Sequence, residues 1–370
     1  MSAMIRIKEK RIDSVLLITV LILVAIGVMM VYSSSSYRGA EKYNDPFQFV
    51  KQHFIRVVIG LVLLFIFTKL DYRMLYVVAP FSFLIGLGLL FLVLLYPEFH
   101  GSHRSIVLLG KRFQPSEFMK LFLIIYLAAV FRKGDKSPGL SGKPLLIHYG
   151  FFLLTVVLIC VEPDLGTAMV VFIIGFAMFI LGGVKWKNLF LMILPPIVML
   201  FFSLMVFNYQ RARVVSFIDS VLNPENAGYQ IKQSIIGLAH GGILGVSYGG
   251  GKQKLLFLPE PFSDFILASV GEELGFIGIL FIFILLIIIV WRSIRVAISA
   301  DDQFGFLLVG GVLTMIIINA ILNSGVVVNL LPTTGLPFPF LSYGGSYLIA
   351  DLIGIGIILN ISKKISSKGA

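Results

Sequence analysis

The chain has 370 residues, of which 58% are hydrophobic and only 13% charged, with a mean hydropathy of +0.98. A soluble domain is about half apolar and about one quarter charged, so this composition excludes a soluble globule and points to an integral membrane protein. The net charge is +11, and the single cysteine, Cys160, excludes an intrachain disulfide and any metal site built from cysteines.

The first apolar run, Val15 to Tyr32, follows Arg6, Lys8, Lys10 and Arg11. It is longer than a signal-peptide core and no small-residue cleavage site follows it cleanly, so it reads as a retained first span. Nine further runs of spanning length lie near 54–70, 75–96, 115–131, 144–161, 165–183, 188–207, 267–291, 303–325 and 341–361. None alternates as a barrel strand would, so the expected fold is an all-α membrane bundle of ten transmembrane helices. Residues 1–370 read as one polytopic domain. No internal repeat is evident, which weighs against an inverted-repeat transporter.

Lys and Arg in short loops set orientation. With the N-terminus in the cytoplasm, the inner segments 1–14, 69–74, 132–143, 184–187, 292–302 and 362–370 hold 17 of the 30 basic residues. Ten spans then return the C-terminus to the cytoplasm. The other basic residues fall on the outer side, among them Arg38, Lys42, Arg56, Arg104, Lys111 and Arg112. They fit either a surface paired with lipid phosphate or an outer site for a strongly anionic ligand. Nothing calls for nucleic acid as a partner.

His100 and His103 flank a glycine in a loop and are not expected to hold a metal. Lys120 falls one turn into the fourth run, with Glu117 as its nearest partner at i−3. Asp164 follows Pro163 between the fifth and sixth runs, where capping the next helix and pairing with a cation are equally open. One outer loop, about 208–266, is far longer than the rest. Its "IKQSIIGLA" stretch has helical spacing, and the glycines after it predict tight turns. Gly251-Lys252 lacks the partners of a phosphate-binding loop, so no nucleotide site is read there. The loop ends at Asp264, where water meets hydrocarbon. Lys120, Asp164 and Asp264 can meet at the outer face. Asp351 sits within the last run, where Asn319 or Asn323 could donate to it; a polar clamp is favoured over a proton relay.

The stretches "QPSEFMKL" (114–121), "EPDLGTA" (162–168), "LPEPFSDFILASVGEELGFIG" (258–278) and "LLPTTGLPFPFLSYGGSYLIADLIGIGIILNIS" (330–362) resemble those of the SEDS family of shape, elongation, division and sporulation proteins. The likeness covers essentially the whole chain. "KQKLLFLPEPFSDF" and "VLNPENAGYQIKQS" are more similar to the division and sporulation branches than to the elongation branch. The resemblance implies a peptidoglycan glycosyltransferase in the bacterial cytoplasmic membrane, with its active site on the extracytoplasmic side. Its substrate would be lipid II, a disaccharide-pentapeptide on undecaprenyl pyrophosphate. Its partners would be a class B penicillin-binding protein, other division or elongation machinery and membrane lipid.

By the same resemblance Asp264 is the catalytic aspartate, and Lys120 and Asp164 form a buried pair in a central cavity. The resemblance implies Arg104 as a substrate contact, and Glu117 and Ser342 are further candidates for that role. Two departures stand out: Ser105 follows Arg104 where the family often has an aromatic residue, and Asp351 replaces an expected uncharged polar residue.

Joining a sugar hydroxyl to an anomeric carbon that bears pyrophosphate needs a base more than an acid. Asp264 is the candidate base. Cations would stabilise the leaving group, and Arg211, Arg213, Lys232, Lys252 and Lys254 are the nearest to Asp264 in sequence. No cofactor is required by the pattern; a divalent cation such as Mg or Mn could share the task, although no metal constellation is present. A lipid II flippase and a non-enzymatic scaffold for the penicillin-binding protein are the alternatives. A flippase would spread its charged groups across the bilayer, and a scaffold would not need Asp264.

Overall fold

The computed structural model describes residues 12–96, 104–108, 111–132, 142–206, 208–223, 225 and 227–365. His100, His103, residues 133–141 of the predicted inner loop and the terminal basic residues Arg6 to Arg11 and Lys368 lie outside them. The described chain runs α1 (Ser14–Tyr43), α2 (Gln48–Lys69), α3 (Met74–Leu95), β1 (Ile106–Leu108), β2 (Lys111–Phe113), α4 (Pro115–Phe131) and α5 (Lys143–Val161). It continues through α6 (Leu165–Leu181), α7 (Trp186–Val206), α8 (Asn208–Leu222), α9 (Tyr229–Gly241) and α10 (Gln253–Leu256). It closes with α11 (Ile266–Ile298), α12 (Gln303–Val327) and α13 (Ser346–Ile365).

Each predicted apolar run coincides with a helix. Among the described residues eight helices are long and apolar enough to cross a membrane: α1, α2, α3, α5, α7, α11, α12 and α13. The runs at 115–131 and 165–183 form α4 and α6, which have 17 residues each. The all-α expectation misses one small element: β1 and β2 pair antiparallel, with Ile106 opposite Phe113. The long loop is less irregular than expected. Its "IKQSIIGLA" stretch lies within α9, and α8 occupies its first quarter.

α12 and α13 form the centre and are mostly buried, whereas α7 is mostly exposed at the outside of the bundle. The outer helices turn large apolar side chains outward, such as Phe81 on α3 and Phe190, Phe201 and Phe202 on α7. Apolar surface on this scale needs hydrocarbon around it. The chain is an integral membrane protein.

The two ends of the bundle differ in chemistry. At one end Asp13 pairs with Arg292 at 2.7 Å, Arg73 with Asp302 at 3.3 Å, and Lys364 with Asp71. Asp13 N–H also donates to Ser362 Oγ at 3.3 Å, so the starts of α1 and the end of α13 share this end. The opposite end holds a large polar cavity.

Candidate functional site

The cavity has a volume of about 1020 Å³. That is at the upper limit of ordinary small-molecule pockets, about 300–1,000 Å³, and suits a large polar headgroup. Asp264, Asp164, Glu117 and Glu260 line it, together with Arg38, Lys42, Arg56, Arg104 and Arg112. Phe49, Phe262 and Tyr343 form an aromatic cluster at its wall, with centroids 4.8–5.7 Å apart. The Arg56 guanidinium lies 4.9 Å from the Tyr343 ring centroid, a cation–π contact that holds the arginine beside the cavity.

Asp264 stands in a turn, two residues before α11. It is not the cap of that helix: Phe265 occupies the N-cap position, with no side-chain capping bond. The bond to the Asp264 carboxylate among the described residues comes from Ser263 Oγ at 2.9 Å. The backbone around it is pinned from three directions. Asn323 Nδ2 donates to the Asp264 carbonyl at 2.7 Å and to Leu336 O at 2.7 Å. Ser342 Oγ donates to Ser263 O at 2.7 Å, and Tyr343 N–H to Phe262 O at 2.7 Å. Gly335 closes on the carboxylate with φ +72°, and a Cβ there would lie 3.4 Å from Asp264 Oδ2. That distance is an ordinary contact, so it is the left-handed φ that favours glycine.

Burial raises the Asp264 pKa above the usual carboxylate range. Ser263 opposes the rise by hydrogen bonding, Glu260 and Asp164 add to it, and Arg213 reduces it.

Asp164 takes the capping role that the sequence left open. Its Oδ1 accepts Thr167 N–H at 3.1 Å at the start of α6, and its Oδ2 accepts Thr167 Oγ1 at 3.0 Å and Gln114 Nε2 at 3.4 Å. The pair implied between Lys120 and Asp164 is therefore not the one formed here. Lys120 Nζ lies 2.7 Å from Glu117 Oε2, and both side chains are buried. One helical turn already brings Glu117 to the lysine, and Asp164 is occupied by α6. Glu117 and Asp164 still line the same cavity.

Several other assignments change. Arg104 lines the cavity and donates to Pro163 O, which anchors it beside Asp164. Ser342 does not line it; fully buried, it accepts from Phe338 N–H and supports the Asp264 turn. Lys254 does not line the cavity; it forms a buried pair with Glu273 at 2.6 Å. Arg213 Nη1 donates to Thr333 O at 3.0 Å, and neither it nor Arg211, Lys232 or Lys252 lines the cavity. Nearness in sequence misled here, because these side chains do not line the cavity, although Arg213 stays within electrostatic reach of Asp264. The cations at the cavity come instead from the α1–α2 corner and the β1–β2 ribbon. Their presence on the predicted outer side was the one signal of them in the sequence.

Glu162 was overlooked. It is fully buried with no hydrogen-bond partner on either oxygen, and burial, reinforced by Asp164 and opposed by Arg104, pushes its pKa up to about 9. Asn323 is spent on the Asp264 turn rather than on Asp351. Asp351 Oδ2 is left buried without a hydrogen bond, within electrostatic reach of Lys120 and Glu117. Among the described residues no three His, Cys, Asp or Glu side chains converge in an arrangement that would hold a metal ion.

Fold and site together define a polytopic membrane protein with a half-buried carboxylate in a charged cavity at one end of its bundle. The FtsW/RodA/SpoVE cell cycle protein model matches residues 13–367, and the chain belongs to that family. It is 37% identical to a probable peptidoglycan glycosyltransferase FtsW of Geobacter sulfurreducens, with 99% of each chain covered. It is 34% identical to the stage V sporulation protein E of Bacillus subtilis, over 95% of this chain and 97% of that one. Among solved structures it is similar to a chain from a peptidoglycan synthase complex studied for the coordination of polymerisation and crosslinking. That match has a TM-score of 0.77 and 25% identity, over 96% of this chain and 98% of that one. The rod shape determining protein RodA of Thermus thermophilus matches with a TM-score of 0.70 and 26% identity, over 95% and 97%.

Proposed function

We infer that this family member is a peptidoglycan glycosyltransferase that polymerises lipid II, with Asp264 as its general base. The observation that carries the reading is the Asp264 carboxylate itself. It caps no helix, is held by its backbone and faces a cavity lined with five basic side chains.

The acceptor sugar hydroxyl gives its proton to Asp264 as its oxygen attacks the anomeric carbon of the donor. The bond from that carbon to the pyrophosphate oxygen breaks, and the electron pair leaves with the lipid pyrophosphate. Arginine forks suit the charge that develops there. Arg56 and Arg104 are the best held for this task, by Tyr343 and by the Pro163 carbonyl. A single displacement inverts the anomeric carbon. Asp164 and Glu117 shape the cavity wall.

The basic loops support an arrangement of ten spans, counting the short α4 and α6, as one polytopic domain with both ends in the cytoplasm. The cavity then opens outward, where a class B penicillin-binding protein would cross-link the product. Similarity to a chain of a peptidoglycan synthase complex supports such a partner.

The test is lipid II polymerisation in detergent by the full chain, with its penicillin-binding partner blocked by a β-lactam. Detergent removes the two leaflets, so glycan ladders there report polymerisation alone and are the expected result. No ladders, combined with transbilayer movement of lipid II in proteoliposomes, would replace this reading with a flippase.

A further inference from the structure

Glu272 and Glu273 stand eight and nine residues after Asp264, at the start of α11, and both are buried. Adjacent helix positions point about 100° apart, so the two carboxylates serve different neighbours. Glu272 accepts Lys252 N–H at 2.8 Å, Gln253 N–H at 3.2 Å and a contact from His240 Nδ1 at 3.1 Å. Glu273 accepts Gly249 N–H at 2.9 Å, Ser33 Oγ at 2.7 Å and Lys254 Nζ at 2.6 Å.

The backbone adds to this. Gly275, at φ +67°, interrupts α11. The amides of Phe276 and Ile277 then donate to Gly242 O at 2.9 Å and Ile243 O at 3.2 Å, while Val246 N–H donates to Glu272 O at 3.0 Å. The segment between α9 and α10 is thereby stitched to the first turns of α11, and through Ser33 to α1. Asp264 lies in the short connection between these two fastened parts.

Buried ion pairs add little net stability compared with apolar side chains of similar size. Two buried carboxylates on one helix turn therefore need a reason other than stability. We propose that Glu272 and Glu273 are positioning residues for glycosyl transfer, fastening the 249–254 segment to α11 so that Asp264 keeps its half-buried place at the cavity. The proposal rests on the reading of Asp264 as base.

The groups that act on Asp264 are Ser263 by hydrogen bonding and Glu260, Arg213 and Asp164 electrostatically, with Tyr347 of α13 within reach of its charge. Loosening the clamp lets water reach the carboxylate and moves its ionisation towards the ordinary range. The test uses the full chain in proteoliposomes with its penicillin-binding partner. Glu273→Gln and the charge-free pair Lys254→Met/Glu273→Leu are compared with wild type and Asp264→Asn. The double variant replaces the buried ion pair with apolar side chains and is chosen to fold.

The expected result is a kcat lower by about 10²-fold, the scale of a small misplacement of a reacting group, with KM for lipid II little changed. The acid limb of the pH–rate profile should also move to lower pH. Unchanged kcat in a folded variant would overturn the proposal. So would a lower kcat with an unmoved acid limb, since a smaller folded fraction scales the rate equally at every pH. An active Asp264→Asn would instead overturn the base assignment itself.

Discussion

Asp164 and Asp264 each stand just ahead of a helix at the cavity end, where either carboxylate could cap the helix that follows. The structure separates them. Asp164 spends its carboxylate on Thr167 and Gln114 and starts α6. Asp264 leaves α11 uncapped and receives its one described hydrogen bond from the neighbouring Ser263. Its backbone, rather than its side chain, is what the protein holds. A carboxylate committed to a cap has little freedom. One held by its main chain keeps its charge available for chemistry.

The largest effect follows from that contrast. Asp264→Asn should lower polymerisation by about 10²–10⁴-fold, the usual share of a general base, while the purified protein keeps its thermal midpoint. A matching loss of folding would make Asp264 a structural residue like Asp164. Next is Lys120→Met, which leaves Glu117 buried without its cation. Breaking a buried pair from one side costs about 3–5 kcal/mol, read as a lower midpoint in detergent. Lys120→Met/Glu117→Gln should recover part of it, and no recovery would return Asp164 as the lysine's partner.

Glu162→Gln sharpens the comparison on the Asp164 side. The Glu162 pKa is raised from 4.5 to about 9, so the folded chain keeps a proton that the unfolded chain has lost. The stability linked to it is full below the unfolded value and is lost as pH rises through the folded one. Wild type and Glu162→Gln should therefore have matching pH slopes at low pH, and the wild type should lose ground as pH rises towards about 9. Parallel stability curves would count against the buried acid. The smallest effect is Asp164→Ala, which removes an N-cap worth about 1 kcal/mol. Asp164→Asn should lose less, because its amide oxygen can still accept Thr167 N–H, and chemical denaturation of the pair measures the difference.

Much of the fold was legible because spanning helices need long apolar runs, and each such run became a helix. The position of Asp264 was legible too, as a carboxylate at the boundary between polar and apolar sequence, and it lies in the turn before α11 at the cavity. The basic side chains that line the cavity were not. Lys254 looked like a substrate contact from its distance along the chain, yet it is buried against Glu273 and Ser33. Arg56 was one of the outer basic residues open to either a lipid-phosphate or a ligand role, and it lies over Tyr343 at the cavity. These roles depend on which helices become neighbours, and hydropathy is blind to that. The β1–β2 ribbon escaped for a different reason: three residues per strand are too few for an alternation pattern to stand out.

The most direct test of the central claim is the pH dependence of single-turnover lipid II polymerisation by wild type and Asp264→Asn, each with its penicillin-binding partner. A base must be ionised to act, so the wild-type rate should fall about tenfold per pH unit below the raised pKa of Asp264. The residual rate of Asp264→Asn should lack that limb. An Asp264→Asn enzyme that keeps the same acid limb would show that another group takes the proton.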